Sequence, residues 1–181
     1  LKALKEIEKV NPKVSMTPLS KEQFNTNKFQ QKINNAIFPI VHLATHGEFS
    51  SSPENTFILA YDKPIAVNEV GDVFKIQAQN QAEPIELLVL SACETAAGDK
   101  RATLGISGVA VRAGARSAIA SLWSLDDEIS VEFTRKFYNQ LLKRDQTKAQ
   151  ALQNAQIELK RSGDREHPRY WTPYILVGNW L

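Results

Sequence analysis

The chain has 181 residues, 43% hydrophobic and 23% charged, which suits one domain with a core of its own and does not suit a disordered polymer. Its 22 Lys and Arg stand against 20 Asp and Glu, mixed without a basic tract, so nucleic acid is not an expected partner. Apolar runs such as Ile85–Leu90 are far too short to cross a bilayer, and one Cys with three His in no ligand spacing supports neither an internal disulfide nor a metal centre; no membrane and no cofactor are expected, in a reducing, cytoplasmic setting.

Leu1, Leu4, Ile7 and Val10 recur every three residues, an amphipathic turn pattern. With the Pro-containing connection at Asn11–Ser20, residues 1–19 are expected to be a helical stub and linker from an upstream region, and 20–181 the domain proper. Ser20 and Gln23 have capping-box spacing and predict a helix over about 21–36 with Phe24, Phe29, Ile33 and Ala36 inward. Ile37–Ala44 reads as a buried strand, Glu48–Asn55 as a polar loop, and Thr56–Ala60 with Ile65–Val67 as a short hairpin. Asn68 is the expected cap of a short helix through Phe74, before a polar linker at Gln77–Glu83.

Ile85–Ala92 is the second buried strand, and Cys93 follows it into a loop, Glu94–Thr103. Leu104–Ala113 reads as a helix of small residues and Ser117–Trp123 as a third strand. Ile129, Phe133, Phe137 and Leu141, four apart, predict a helix over 126–142. Thr147 and Gln150 form a second capping box, opening a helix to about Arg161 that Gly163 ends. Trp171–Val177 supplies a last strand. Strands alternating with helices imply βαβ units, hence an α/β fold with a mainly parallel sheet between helices.

In such sheets ligands bind beyond the carboxyl ends of the strands. The first strand runs into Thr45-His46-Gly47 and the second into Ser91-Ala92-Cys93. A thiol becomes a nucleophile beside a base, and imidazole is the usual base at neutral pH. Gly47, lacking a Cβ, lets its amide approach a substrate oxygen, so the amides of Gly47 and Cys93 are candidate oxyanion donors. A lone Cys is more often a small buried hydrophobe, and a lone His more often structural. Their coincidence at two strand ends makes them candidates. Mid-strand His42 and loop residue His167 read as structural, and Trp171 as core or groove wall. The glycines at 98–108 match neither a phosphate loop nor a dinucleotide fingerprint.

The segments VHLATHGEF (41–49), LLVLSACETAAG (87–98), GISGVAVRAGARSAIASLWSLDDE (105–128) and HPRYWTPYILVGNW (167–180) resemble the CHAT domain, of the caspase, gingipain and separase group of cysteine peptidases. The loop Gly98–Gly105 departs from the family in being less Gly-rich. The resemblance implies a caspase-like three-layer sandwich and a cysteine endopeptidase with Cys93 as nucleophile, His46 as base and acid, and the Gly47 and Cys93 amides as oxyanion donors. It implies that Trp123, Ser124, Asp126 and Asp127 border the substrate, one of the two aspartates holding an Arg or Lys before the cut. The same aspartates open a helix, where acidic residues cap amides, so both readings stand. The implied partners are a protein or peptide substrate and an upstream helical-repeat region or activator. The rival readings are a silent interaction module of the same fold and a thiol hydrolase of non-peptide esters or amides.

Overall fold

A computed structural model describes residues 15–50, 55–81, 84–91, 94–95, 114–123 and 125–181. The expected helices over 1–10 and 104–113 lie outside the described residues. The chain divides into two compact units, one of Leu19–Ser124 with Val177–Asn179, the other containing Leu125–Leu176 and Trp180–Leu181.

In the first unit the chain opens with a 3-10 turn, Lys21–Gln23, and then α1, Thr26–Asn35. The expected cap is corrected here. Ser20 makes no side-chain capping bond and Lys21 has a φ of 51°, which takes the backbone off a helical path. Asn25 is the cap instead, its side chain accepting from the Lys28 amide at 3.0 Å, and Asp62 accepts from the Thr26 amide at 3.0 Å. Asn25, immediately before Thr26, thus supplies an acceptor for one free amide of the first turn, and Asp62 supplies one for another.

β1 follows as Ile40–Ala44, starting just after Pro39, then β2 (Gly47–Phe49), β3 (Phe57–Leu59) and β4 (Pro64–Ala66). β3 and β4 form the expected antiparallel hairpin, whereas β2 is a strand within what reads as loop. α2, Val67–Gln81, runs through the segment expected to be a linker, because its Gln and Ala residues favour helix and no Gly or Pro interrupts them. β5 (Leu87–Ser91), β6 (Glu94–Thr95) and β7 (Ser117–Ser121) complete the strands before the second unit.

The main sheet has the order β1-β5-β7-β8, where β8 is Tyr174–Gly178, and the described pairings β1–β5 and β5–β7 are parallel. The fold is therefore α/β with a mainly parallel central sheet, in accord with the caspase-like sandwich expected. Register puts Val41, Leu88 and Ala118 in one row and Leu43, Leu90 and Ala120 in the next. These six share a core with Phe29 and Ile33 of α1 and Val70 and Phe74 of α2. All of β5 and β7 is buried, as a strand covered on both faces must be. A second sheet has the order β4-β3-β2-β6, with β2 antiparallel to β3 and parallel to β6. At the far edge Asn179 N–H donates to the Arg116 carbonyl at 2.8 Å.

In the second unit α3, Asp127–Leu141, buries Ile129, Phe133 and Phe137 as their spacing predicts. α4, Lys148–Lys160, opens on the capping box read from Thr147 and Gln150: each backbone amide donates to the other's side chain, at 3.0 and 3.1 Å. Gly163, with φ 59°, lies just past its end. Among the described residues no helix is long and apolar enough to cross a membrane.

Removing the Thr147 hydroxyl deprives the Gln150 amide of its acceptor. Thr147→Ala is expected to cost about 1 kcal/mol of stability, read as a lower denaturant midpoint at unchanged slope; an unchanged midpoint would contradict the role given to this cap.

Candidate active site

β1 and β5 end level with each other, Ala44 opposite Ser91. Beyond Ala44 the chain is pinned to β3 rather than left as a loose loop. Thr45 Oγ1 donates to the Leu59 carbonyl at 2.6 Å, and Leu59 N–H donates to the His46 carbonyl at 2.8 Å. The backbone of His46 is thereby held while its imidazole stays exposed. Thr45 was not singled out from sequence; a hydroxyl between a buried strand and a catalytic-type His-Gly pair was the available signal.

Gly47 begins β2 opposite Ile58. Because Leu59 donates to His46, those two residues form a hydrogen-bonded pair, and Gly47 with Ile58 form the adjoining non-hydrogen-bonded pair. Ladder parity then turns the Gly47 amide away from β3, toward the side on which β6 lies. A glycine is required here for a reason the sequence did not reveal. A Cβ on Gly47 would stand 2.6 Å from the Phe57 carbonyl oxygen and 3.3 Å from Ile58 Cα, both backbone atoms that cannot step aside alone.

Ala92, Cys93 and Ser124 lie outside the described residues. The residues that bracket Cys93 in the chain are described. Ser91 sits opposite Ala44, and Glu94 sits opposite Glu48. Three residues, Thr45–Gly47, separate the paired positions on one side, and two, Ala92 and Cys93, on the other.

The carboxyl ends of the strands carry hydroxyls. Ser121, at the end of β7, donates to the Trp123 carbonyl at 2.5 Å, and Trp123 is 38% exposed. Ser91 Oγ lies 2.7 Å from His42 Nε2. His42 is thus the satisfied strand residue expected, and burial of its ring lowers its pKa from 6.5 to about 4, so it is neutral at physiological pH. His167 is likewise structural: its Nδ1 accepts from the Arg169 amide at 3.2 Å.

In the second unit, Asp126 holds the N-cap position of α3 yet makes no side-chain capping bond. It lines a cavity of about 480 Å³ with Glu128, Glu132, Asp164, Arg165 and Tyr170 among its walls. Arg165 pairs with Glu132 and, at 3.8 Å, with Glu128. Lys136 also pairs with Glu132, at 3.5 Å, so two cations face Glu128 and Glu132 and the excess negative charge rests on Asp126 and Asp164. Asp127, also a candidate, is an exposed residue of the first turn. Among the described residues no cluster of three or more His, Cys, Asp or Glu could hold a metal ion.

A family model for the CHAT domain matches residues 2–179. No curated protein matches the chain.

Two outcomes follow from this geometry. Gly47→Ala is expected to destabilise the protein through the β2–β3 contact itself, by about 1–3 kcal/mol as for other overpacking changes, measured by denaturant unfolding; wild-type stability would contradict that contact. The second concerns acid. Between the pKa of about 4 in the folded protein and 6.5 in the unfolded chain, the unfolded state binds the extra proton. Stability linked to neutral His42 is complete above about 6.5 and is lost as pH falls toward about 4. Denaturant midpoints of His42→Gln should therefore fall less steeply over that range than those of the wild type, and equal slopes would refute the linkage.

Proposed function

The chain belongs to the CHAT-domain family, a caspase-like, peptidase-related group, and from that membership we propose that it is a cysteine endopeptidase with Cys93 as nucleophile and His46 as general base and acid. The observation that carries the reading is the double register around the two segments. β1 pairs with β5 before them and β2 pairs with β6 after them, so the chain on either side of Thr45–Gly47 is tied to the chain on either side of Ala92–Cys93. Pairing on both sides of the two segments supports a site whose groups need little further ordering when substrate arrives.

In this reading the Cys93 thiolate attacks the scissile carbonyl. The oxyanion is received by the backbone amides of Cys93 and Gly47; the parity that turns the Gly47 amide away from β3 supports that role. His46 takes the thiol proton and returns it to the departing amine. Water then attacks the thioester and regenerates the thiol. The exposure of His46 suits a group that must meet a peptide arriving from solvent.

The same proposal gives the substrate an Arg or Lys before the cut. Asp126 makes no side-chain capping bond, which leaves its carboxylate for that use. Trp123, Ser124 and Asp127 remain proposed neighbours of the substrate. An upstream helical-repeat region or activating partner is part of the proposal, supported by the amphipathic spacing of Leu1, Leu4, Ile7 and Val10.

Peptidyl acyloxymethyl ketones ending in Arg or in Asp test this directly. Labelling by the Arg probe is expected on Cys93, absent in Cys93→Ala, slowed about a hundredfold or more in His46→Ala, and less selective over the Asp probe in Asp126→Asn. A folded wild-type protein that neither probe labels, alone or with its upstream region, would overturn the peptidase reading and favour an interaction module.

A further inference from the structure

A hydrogen bond between His42 and Ser91 joins side chains of β1 and β5. Register explains its reach. His42 stands opposite Val89, Ser91 stands opposite Ala44, and the two side chains lie on the same face one step apart diagonally. His42 precedes His46 by four residues, and Ser91 precedes Cys93 by two.

Core packing alone does not call for such a pair. The same face carries Leu87, Val89 and Ile119, all at most 3% exposed, and an apolar pair would continue that surface without burying polar groups. Ser91 is itself 5% exposed, so its hydroxyl depends on a partner inside the protein. A directional bond between a half-buried neutral imidazole and a buried hydroxyl resists sliding and rotation in a way that hydrophobic contact does not. Burial holds the imidazole neutral, so the bond adds no buried charge.

We propose that His42 is a positioning residue for the nucleophile, anchoring Ser91, the last residue of β5 and two residues before Cys93, to the strand that leads to His46. This rests on the peptidase reading above. Thr45 and Ser121 act in the same manner on neighbouring segments, each hydroxyl holding one backbone carbonyl. The His42–Ser91 bond adds a side-chain tie to the backbone ladder between the two strands that lead to both proposed reacting groups.

The test compares wild type, His42→Leu, Ser91→Ala and His42→Gln, whose amide nitrogen reaches about where Nε2 lies. Inactivation by the Arg-ended acyloxymethyl ketone is resolved into kinact and KI for each, with a denaturant midpoint to verify folding. His42→Leu and Ser91→Ala are expected to lower kinact by about tenfold to a hundredfold while KI changes less than about threefold. His42→Gln is expected to return kinact to within about threefold of wild type. A merely structural His42 would lower the midpoint without this split, so wild-type kinact in the folded Leu and Ala variants overturns the proposal, as does a Gln variant no better than Leu. If only the Asp-ended probe labels the wild type, the same comparison is made with it; if neither probe does, alone or with the upstream region, the peptidase reading fails, and amide exchange of the 87–95 segment decides the anchor separately. Faster exchange in His42→Leu that His42→Gln reverses sustains it; equal exchange in all variants removes it.

Discussion

Five consecutive parallel pairings, from Ile40 opposite Leu87 to Ala44 opposite Ser91, are the constraint on which the rest of the structure depends. Side chains alternate across a strand, so this register decides which residues meet the helices α1 and α2 and which meet the opposite face. Val41, Leu43, Leu88 and Leu90 enter the core with Phe29 and Phe74, and the alternate positions present His42 and Ser91 to each other. A slip of one residue would exchange the two sets, burying a histidine against phenylalanines and separating it from its serine. The level ending of both strands has the same cause, with Ala44 opposite Ser91.

Beyond that edge the backbone is organised by a second, smaller sheet. The shortness of β2 and β6 matters less than their placement. They resume pairing almost as soon as β1 and β5 stop, which leaves two or three residues on each strand between ladders. Thr45–Gly47, tied at both ends, has few conformations to lose when a ligand binds. Gly47 shows how tightly the span is built, since even a methyl group there would meet the backbone of β3. The glycine read from sequence as an open approach for a substrate oxygen is also a close approach between two strands.

Some elements were legible because local pattern and final structure agree. The four-residue spacing of Ile129, Phe133 and Phe137 and the reciprocal Thr147–Gln150 cap need only their own helices to form. The hairpin at 57–66 and the two strands ending at Ala44 and Ser91 were likewise readable from β-branched, apolar runs. Other elements were misread where a distant residue intervenes. α1 starts at Thr26 because Asn25 and Asp62, 36 residues from Thr26, supply acceptors that the Ser20 pattern could not outbid. β2 and β6 have three and two residues, too few for any periodicity, and exist only as partners of β3 and of each other. The acidic run at 126–128 allows both capping and pocket readings; Asp126 holds the N-cap position without a side-chain capping bond and lines a cavity.

The sequence by itself determined the α/β order of elements, the membership in the CHAT family and the pair of residues, His46 and Cys93, proposed to do chemistry, because each of these is written in contiguous stretches of chain. Only the tertiary structure decided which hydroxyl meets His42, why position 47 must be glycine, and which way its amide turns. Those facts are set by strand register, and register is a relation between segments dozens of residues apart that no local stretch encodes.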